Sequence, residues 1–202
     1  MTGVPDDLWD PGRSEAQVRA FYDGWADHYD ADMDASGMLG PRRVADALRR
    51  FVAPDAPILD FGCGTGACGA ALRAAGFGTV HGVDLSAAML ERARARDAYA
   101  TLTLAEPDAA VTVPEGVGGV AACGSISVGA GPARLLPDLL GAMSAGAVLV
   151  LTYNDDTLRQ ADYMRALSDA QVDGAARLAW AEHGIQLPAL GRGATVFALR
   201  RL

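Results

Sequence analysis

The sequence predicts a doubly wound α/β fold: a mostly parallel seven-stranded sheet with helices on both faces, preceded by two N-terminal helices. Three observations carry this. Short apolar runs alternate with helical periodicity about five times before two late strands, which implies parallel pairing with helices on both faces. The first strand runs into a glycine-rich turn and then a helix. The second ends on an acid followed by a serine able to cap a helix.

In chain order, the first dozen residues, with Pro5, Pro11 and Gly12, read as irregular. Ser14 caps a helix whose apolar positions are Val18, Phe21, Tyr22 and Trp25. A second helix runs from near Pro41 to about Phe51 on Val44, Ala47, Leu48 and Phe51, with Arg42, Arg43, Arg49 and Arg50 on a solvated face. Residues 56–60 form a buried strand, and Ala67 to Ala75 a helix ended by Gly76. Residues 79–83 form a second strand ending at Asp84, and Ser86 caps a helix to about Arg96. Strands follow at 101–104 and 118–123, a helix at 133–143, a strand at 147–153 and a longer helix at about 157–173. Residues 178–182 and 195–199 make a closing pair of strands.

A chain of 202 residues suits one domain, and half of its residues are hydrophobic. The net charge of −8 disfavours nucleic acid, because phosphate neutralisation needs clustered cations. No apolar run is long enough for a membrane span, and Met1 to Asp10 lacks a signal-peptide core, so a cytoplasmic location is expected. Cys63, Cys68 and Cys123 are odd in number and without C-x-x-C spacing, and no metal site is expected.

The informative segment is Ile58-Leu-Asp-Phe-Gly-Cys-Gly-Thr-Gly66. Glycine permits a sharp turn and close approach of a ligand to the backbone, and the helix behind it offers free amide donors. No P-loop pattern is present, and the third glycine comes one residue early for a dinucleotide fingerprint. Asp60 would repel a pyrophosphate but could orient an ammonium group. Asp84, about 20 residues on, can accept ribose hydroxyls, while Ser86 serves as the cap.

Together these residues resemble the class I S-adenosylmethionine-dependent methyltransferases, whose first two motifs are matched by Ile58 to Gly66 and Gly82 to Ser86. Tyr22-Asp-Gly-Trp-Ala-Asp-His-Tyr-Asp30 is similar to the lead-in of a small group of methyltransferases named for the Williams–Beuren syndrome chromosome region. So are Gly124 to Gly129 with Pro132, Leu151 to Thr157, and Leu187-Pro188. The resemblance implies a Rossmann-like methyltransferase fold in one domain, 1–202, with an N-terminal helical lid at about 14–51 and a cofactor-binding core at about 54–202.

It also implies S-adenosylmethionine as cofactor. Asp60, Gly62, Cys63, Gly64 and Gly66 would line its methionine half, and Asp84 would bind the ribose. Leu85 and Met89 would lie beside the adenine, with Glu106 where the family has Asp and Asp108 as a competitor. Cys123, Gly124 and Ser125 would flank the sulfonium, and Tyr22 and Tyr29 would close over the cofactor from the lid. The family's Phe-Asp before the fourth strand is missing from 116–120, and its Pro-Gly-Gly before the fifth reads Ser144-Ala-Gly-Ala147.

Methyl transfer from a sulfonium is an in-line displacement that positioning can accelerate without a catalytic side chain. Where the acceptor needs a base, the candidates are His28, Tyr29 and Asp30, then Asp155. Trp25, Tyr153, Tyr163 and Trp180 would either wall an apolar acceptor or pack the core. The expectation is methyl transfer to a small molecule by a monomer or homodimer. A non-catalytic cofactor-binding protein and a protein methyltransferase are the alternatives.

Overall fold

The computed structural model describes residues 3–202. Met1 and Thr2, the start of the stretch expected to be irregular, lie outside the described residues.

The first helix, α1 (Glu15–Ser36), begins with a capping box: the Ser14 side chain accepts from the Gln17 amide, and the Gln17 side chain accepts from the Ser14 amide. It stops at Gly37, whose φ of 73° closes the helix in the left-handed region. Helix α2 (Gly40–Leu48) follows, with Pro41 in its first turn. Then come β1 (Ile58–Phe61), α3 (Ala67–Ala74), β2 (Val80–Asp84), α4 (Ala87–Ala95), β3 (Thr101–Leu104), β4 (Gly119–Ala122), α5 (Leu135–Ala142), β5 (Val148–Asn154), α6 (Ala161–Val172), β6 (Ala176–Leu187) and β7 (Arg192–Arg201).

The sheet has seven strands in the order β3-β2-β1-β4-β5-β7-β6. All pairings from β3 to β5 are parallel, and β7 runs antiparallel to both β5 and β6. Ile58 of β1 stands opposite Val80 on one side and Gly119 on the other. Strand order reverses between β1 and β4, so the turn after β1 and the loop after β4 flank a switch point, where such sheets open a crevice. Helices α2 and α3 cover one face through Val44, Leu48 and Leu72. Helices α5 and α6 cover the other through Leu136, Leu139 and Leu167, against Leu149, Leu151 and Phe197. Burial of such side chains contributes about 1.5–3 kcal/mol each.

Three expectations are corrected. The helix expected over 157–173 is split: a 3-10 turn at Thr157–Arg159 ends at Gln160, which is extended with ψ 123°, and α6 starts after it. Asn154 causes the break by accepting from both the Thr157 amide and its hydroxyl, at 2.8 Å each. The closing hairpin is far longer than expected, because register shifts at Leu178/Trp180 and Ile185/Leu187 interrupt the alternation that marks a strand. Arg43 is not on a solvated face: its guanidinium caps carbonyls of both hairpin strands, at Glu182 (2.9 Å) and Ala194 (3.0 Å). The four aromatics form no single wall. Tyr153 and Tyr163 pack the core, as the second of the two readings has it, Trp25 on α1 packs with Leu8, Met33 and Leu187, and Trp180 lies on the outer strand beneath Arg50.

Among the described residues, no helix is long and apolar enough to cross a membrane. No group of three or more His, Cys, Asp or Glu among them is placed to hold a metal ion.

Candidate functional site

The glycine turn is tied to β2 by two hydrogen bonds: the amides of Gly62 and Cys63 both donate to the Val83 carbonyl, at 2.8 and 3.0 Å. Gly62 has a φ of 70° and carries the Ser125 side chain so close that a Cβ would collide with it. Gly64, with a φ of 54°, faces open space: a Cβ there would meet nothing within 4 Å. The turn is therefore shaped by the loop after β4 on one side and left free on the other.

Asp84 closes the end of β2. Its Oδ2 accepts from the Gly64 amide and its Oδ1 from the Ser86 amide, both at 2.8 Å. A carboxylate oxygen accepts more than one hydrogen bond, so both oxygens keep capacity toward a ligand. Burial pushes the Asp84 carboxyl up, opposed by the amides of Ser86 and Gly64. Ser86 caps α4 as expected, accepting from the Met89 amide at 3.0 Å.

Over these groups lies α1, held by a polar seam at residues 15, 19, 23, 27 and 30. Glu15 pairs with Arg134 at 2.6 Å and accepts from the Asp108 amide at 2.6 Å. Arg19 donates to the carbonyls of Leu85 (2.8 Å) and Ala105 (2.7 Å) and pairs with Glu106 at 3.0 Å. Asp23 accepts from the Ser86 hydroxyl at 2.5 Å, and Asp27 pairs with Arg92 at 2.5 Å. Asp30 pairs with Arg96 at 2.9 Å and accepts from the Thr65 hydroxyl at 2.5 Å. Spacing of about four residues keeps this seam along one side of the helix. An adjoining side carries Phe21, Tyr22, Trp25 and Tyr29 as an aromatic cluster, Trp25 and Tyr29 being 4.7 Å apart.

The space enclosed between α1 and the sheet edge is a cavity of about 170 Å³. Of the residues expected to hold a cofactor, Tyr22, Tyr29, Gly62, Gly64, Asp84, Leu85, Met89, Glu106, Cys123, Gly124 and Ser125 line it. Three do not. The Cys63 side chain turns inward toward Gly82, away from the cavity. Gly66, with a φ of 90°, is the N-cap of α3 and packs against Tyr99 and Arg96. Asp60 is fully buried beneath the turn, where the Tyr99 hydroxyl donates to its Oδ2 at 2.8 Å. Glu106, not Asp108, lines the cavity; Asp108 pairs outside it with Arg134 at 3.0 Å.

The proposed bases fare differently. His28 is exposed and away from the cavity wall, and Asp30 is spent on Thr65 and Arg96. Tyr29 lines the cavity, but burial pushes its phenol, like that of Tyr22, well above the usual range, so both remain protonated donors. Asp155 is bound to the Gly193 amide at 2.9 Å, near His183 on the hairpin. Residues missed in the sequence also line the cavity: Glu15, Val18 and Arg19, along with Phe61, Val111 and Leu135. The α1 residues share a helical face with Tyr22, and that spacing could have found them; the segment at 105–112 carries no periodic signal.

Comparisons with known proteins agree with this geometry. A family model described as a methyltransferase domain matches residues 58–116, which span the glycine turn, β2 and β3. Human methyltransferase-like protein 27 is 37% identical over 177 residues, covering 83% of this chain and 67% of that protein. The TehB-like SAM-dependent methyltransferase of Corynebacterium glutamicum superposes with a TM-score of 0.64 at 18% identity, covering 91% of this chain and 99% of that one. The [4+2]-cyclase SpnF superposes with a TM-score of 0.65 at 15% identity, covering 95% and 98%. At such identities the two structures speak to the fold, and the human relative and the domain match speak to the family. The chain belongs to the class I S-adenosylmethionine-dependent methyltransferases.

Proposed function

We propose that this protein transfers a methyl group to a small-molecule acceptor, with its cofactor held in the cavity beneath α1. In this reading the whole chain is one domain, residues 14–51 acting as a lid on a core at 54–202. The observation that carries it is the convergence of the Asp84 carboxylate, the open Gly64 turn and the buried Ser125 hydroxyl on one enclosed space. The Ser125 hydroxyl has no hydrogen-bond partner among the described residues, and a Cβ at Gly64 would enter free volume. A buried unpaired hydroxyl is costly, so a polar ligand atom near it is favoured. These residues fit a ligand with hydroxyls, a cationic centre and a flat apolar ring.

When bound, S-adenosylmethionine supplies the electrophilic methyl carbon. Asp84, pre-set by the Gly64 and Ser86 amides, would accept from the ribose hydroxyls. Leu85, Met89 and Leu135 offer apolar walls for the adenine, and Glu106, braced by Arg19, an acceptor at its edge. Cys123, Gly124 and Ser125, which line the cavity, would flank the sulfonium, and Tyr22 and Tyr29 would donate from the lid. Among the described residues no histidine lines the cavity, and each of its carboxylates, Glu15, Asp84 and Glu106, already holds a protein partner. Catalysis then rests on alignment and exclusion of water, and the acceptor is one whose attacking lone pair needs no protein base.

Two features support a small acceptor. The net charge of −8 opposes a polyanion. The N-terminal segment is seated beside the loop after β4, the Leu8 carbonyl against Gly129 and Trp9 under Arg192 at 3.5 Å, next to cavity-lining Ala130 and Gly131. Labelled methyl transfer to fractionated metabolites, proteins and RNA tests this. Label is expected in the metabolite fraction; label confined to protein or RNA would overturn it.

A further inference from the structure

Tyr99, between α4 and β3, belongs to no sequence motif discussed above. Its ring occupies a slot cut by three glycines. A Cβ on Gly69, inside α3, would collide with the phenol. Cβ atoms on Gly66, at the head of α3, and Gly82, inside β2, would lie 3.1 and 3.0 Å from the ring. Glycine inside a helix costs about 0.5–1 kcal/mol relative to alanine, and at Gly69 the nearest atoms a Cβ would meet are all Tyr99's, so the ring's seat accounts for that penalty. The hydroxyl donates to Asp60 Oδ2 at 2.8 Å and accepts from the Gly69 amide at 3.1 Å, one of the free donors of the first turn of α3. Asp60 Oδ1 has no partner among the described residues.

We propose that Tyr99 is a positioning residue for cofactor binding, its phenol holding the Asp60 carboxylate in place directly before the glycine turn. The proposal rests on the cofactor reading of the cavity given above. Tyr99 does not touch the cavity; it acts through Asp60, whose charge and orientation bear on the turn at Gly62 and Gly64. Tyr99 from the α4–β3 loop, Cys68 from α3, Cys63 from the turn and Asp84 from β2 all face Asp60. Burial pushes the Asp60 carboxyl up to about 7, opposed first by the hydrogen bond from Tyr99 and then by that from Cys68. The ionised form favours a cationic ammonium group nearby, so affinity for the cofactor falls as pH drops through this range. Removing the phenol's donor raises the Asp60 pKa further and shifts the fall to higher pH.

Titration calorimetry with S-adenosylhomocysteine across about pH 5.5 to about pH 8.5 tests this on wild type, Tyr99→Phe, Asp60→Asn and the double variant. Wild-type affinity should rise with pH through one inflection. Tyr99→Phe, whose ring keeps its slot, should move that inflection up by about 1 unit and weaken binding about 3- to 10-fold near neutral pH, as expected for one lost hydrogen bond to a charged group. Asp60→Asn should abolish the inflection, and Tyr99→Phe should then change affinity less than about 2-fold, because the pair acts as a unit. An unmoved inflection in Tyr99→Phe, or an equal weakening in the Asp60→Asn background, would overturn the proposal while leaving the cofactor reading intact. A folded wild type that binds no S-adenosylhomocysteine would overturn both. On wild-type protein alone, NMR of the Asp60 carboxyl carbon and the Tyr99 ring should report one shared midpoint; two separate midpoints would overturn the link.

Discussion

Asp84 offers the most direct test of one side chain's part in binding. Both its oxygens are aimed by backbone amides, so Asp84→Ala removes a pre-organised acceptor without removing core volume. S-adenosylhomocysteine affinity should fall by about 1–3 kcal/mol, roughly 5- to 150-fold, by calorimetry; an unchanged affinity would refute the ribose assignment. At this scale the sequence was legible where residue type states a conformational demand. Gly62 and Gly64 adopt positive φ and an acid ends β2, each readable from spacing. It was not legible where side-chain direction decides. Asp60 and Cys63 stand in the same motif, but Asp60, bonded to Tyr99, lies beneath the turn and Cys63 faces Gly82, both away from the cavity. No local pattern encodes those partners, Tyr99 being 39 residues distant. His28 shares a motif with Tyr22 and Tyr29 yet points outward, because successive residues of a helix face different sides.

At the scale of elements, α1 lies over the cavity, and its first turn is anchored by the Ser14 capping box beside the Glu15–Arg134 pair. Ser14→Ala should cost about 1 kcal/mol in denaturant unfolding, and it should speed release of S-adenosylhomocysteine in stopped flow by loosening that end of the helix. A stability loss with unchanged release would argue that α1 does not gate the cavity. Helices and parallel strands were legible because their periodicity is driven by burial in one core. The closing hairpin was only half legible. Its two register shifts break the alternation, and Arg43 from α2 satisfies carbonyls there, a partner more than a hundred residues away. The split before α6 turns on a single side chain, Asn154, competing for the Thr157 amide.

For the whole molecule, the buried carboxyl of Asp60 links stability to pH. Its pKa is about 7 in the folded state against 3.8 for an ordinary aspartate. Between those values the folded chain holds a proton that the unfolded chain has lost. The stability this group confers is therefore complete below 3.8 and is lost as pH rises through about 7. Asp60→Asn should escape that loss, so its melting temperature relative to wild type should climb between about pH 5 and about pH 8. A difference that stays flat would show that Asp60 is not held in its protonated form by burial. Every role assigned to these residues requires that the cavity between α1 and the glycine turn take S-adenosylmethionine. Titration calorimetry of the purified, folded chain with that cofactor tests it most directly. A saturable isotherm with one site per chain is predicted, and the absence of binding heat together with an unshifted melting temperature would contradict it.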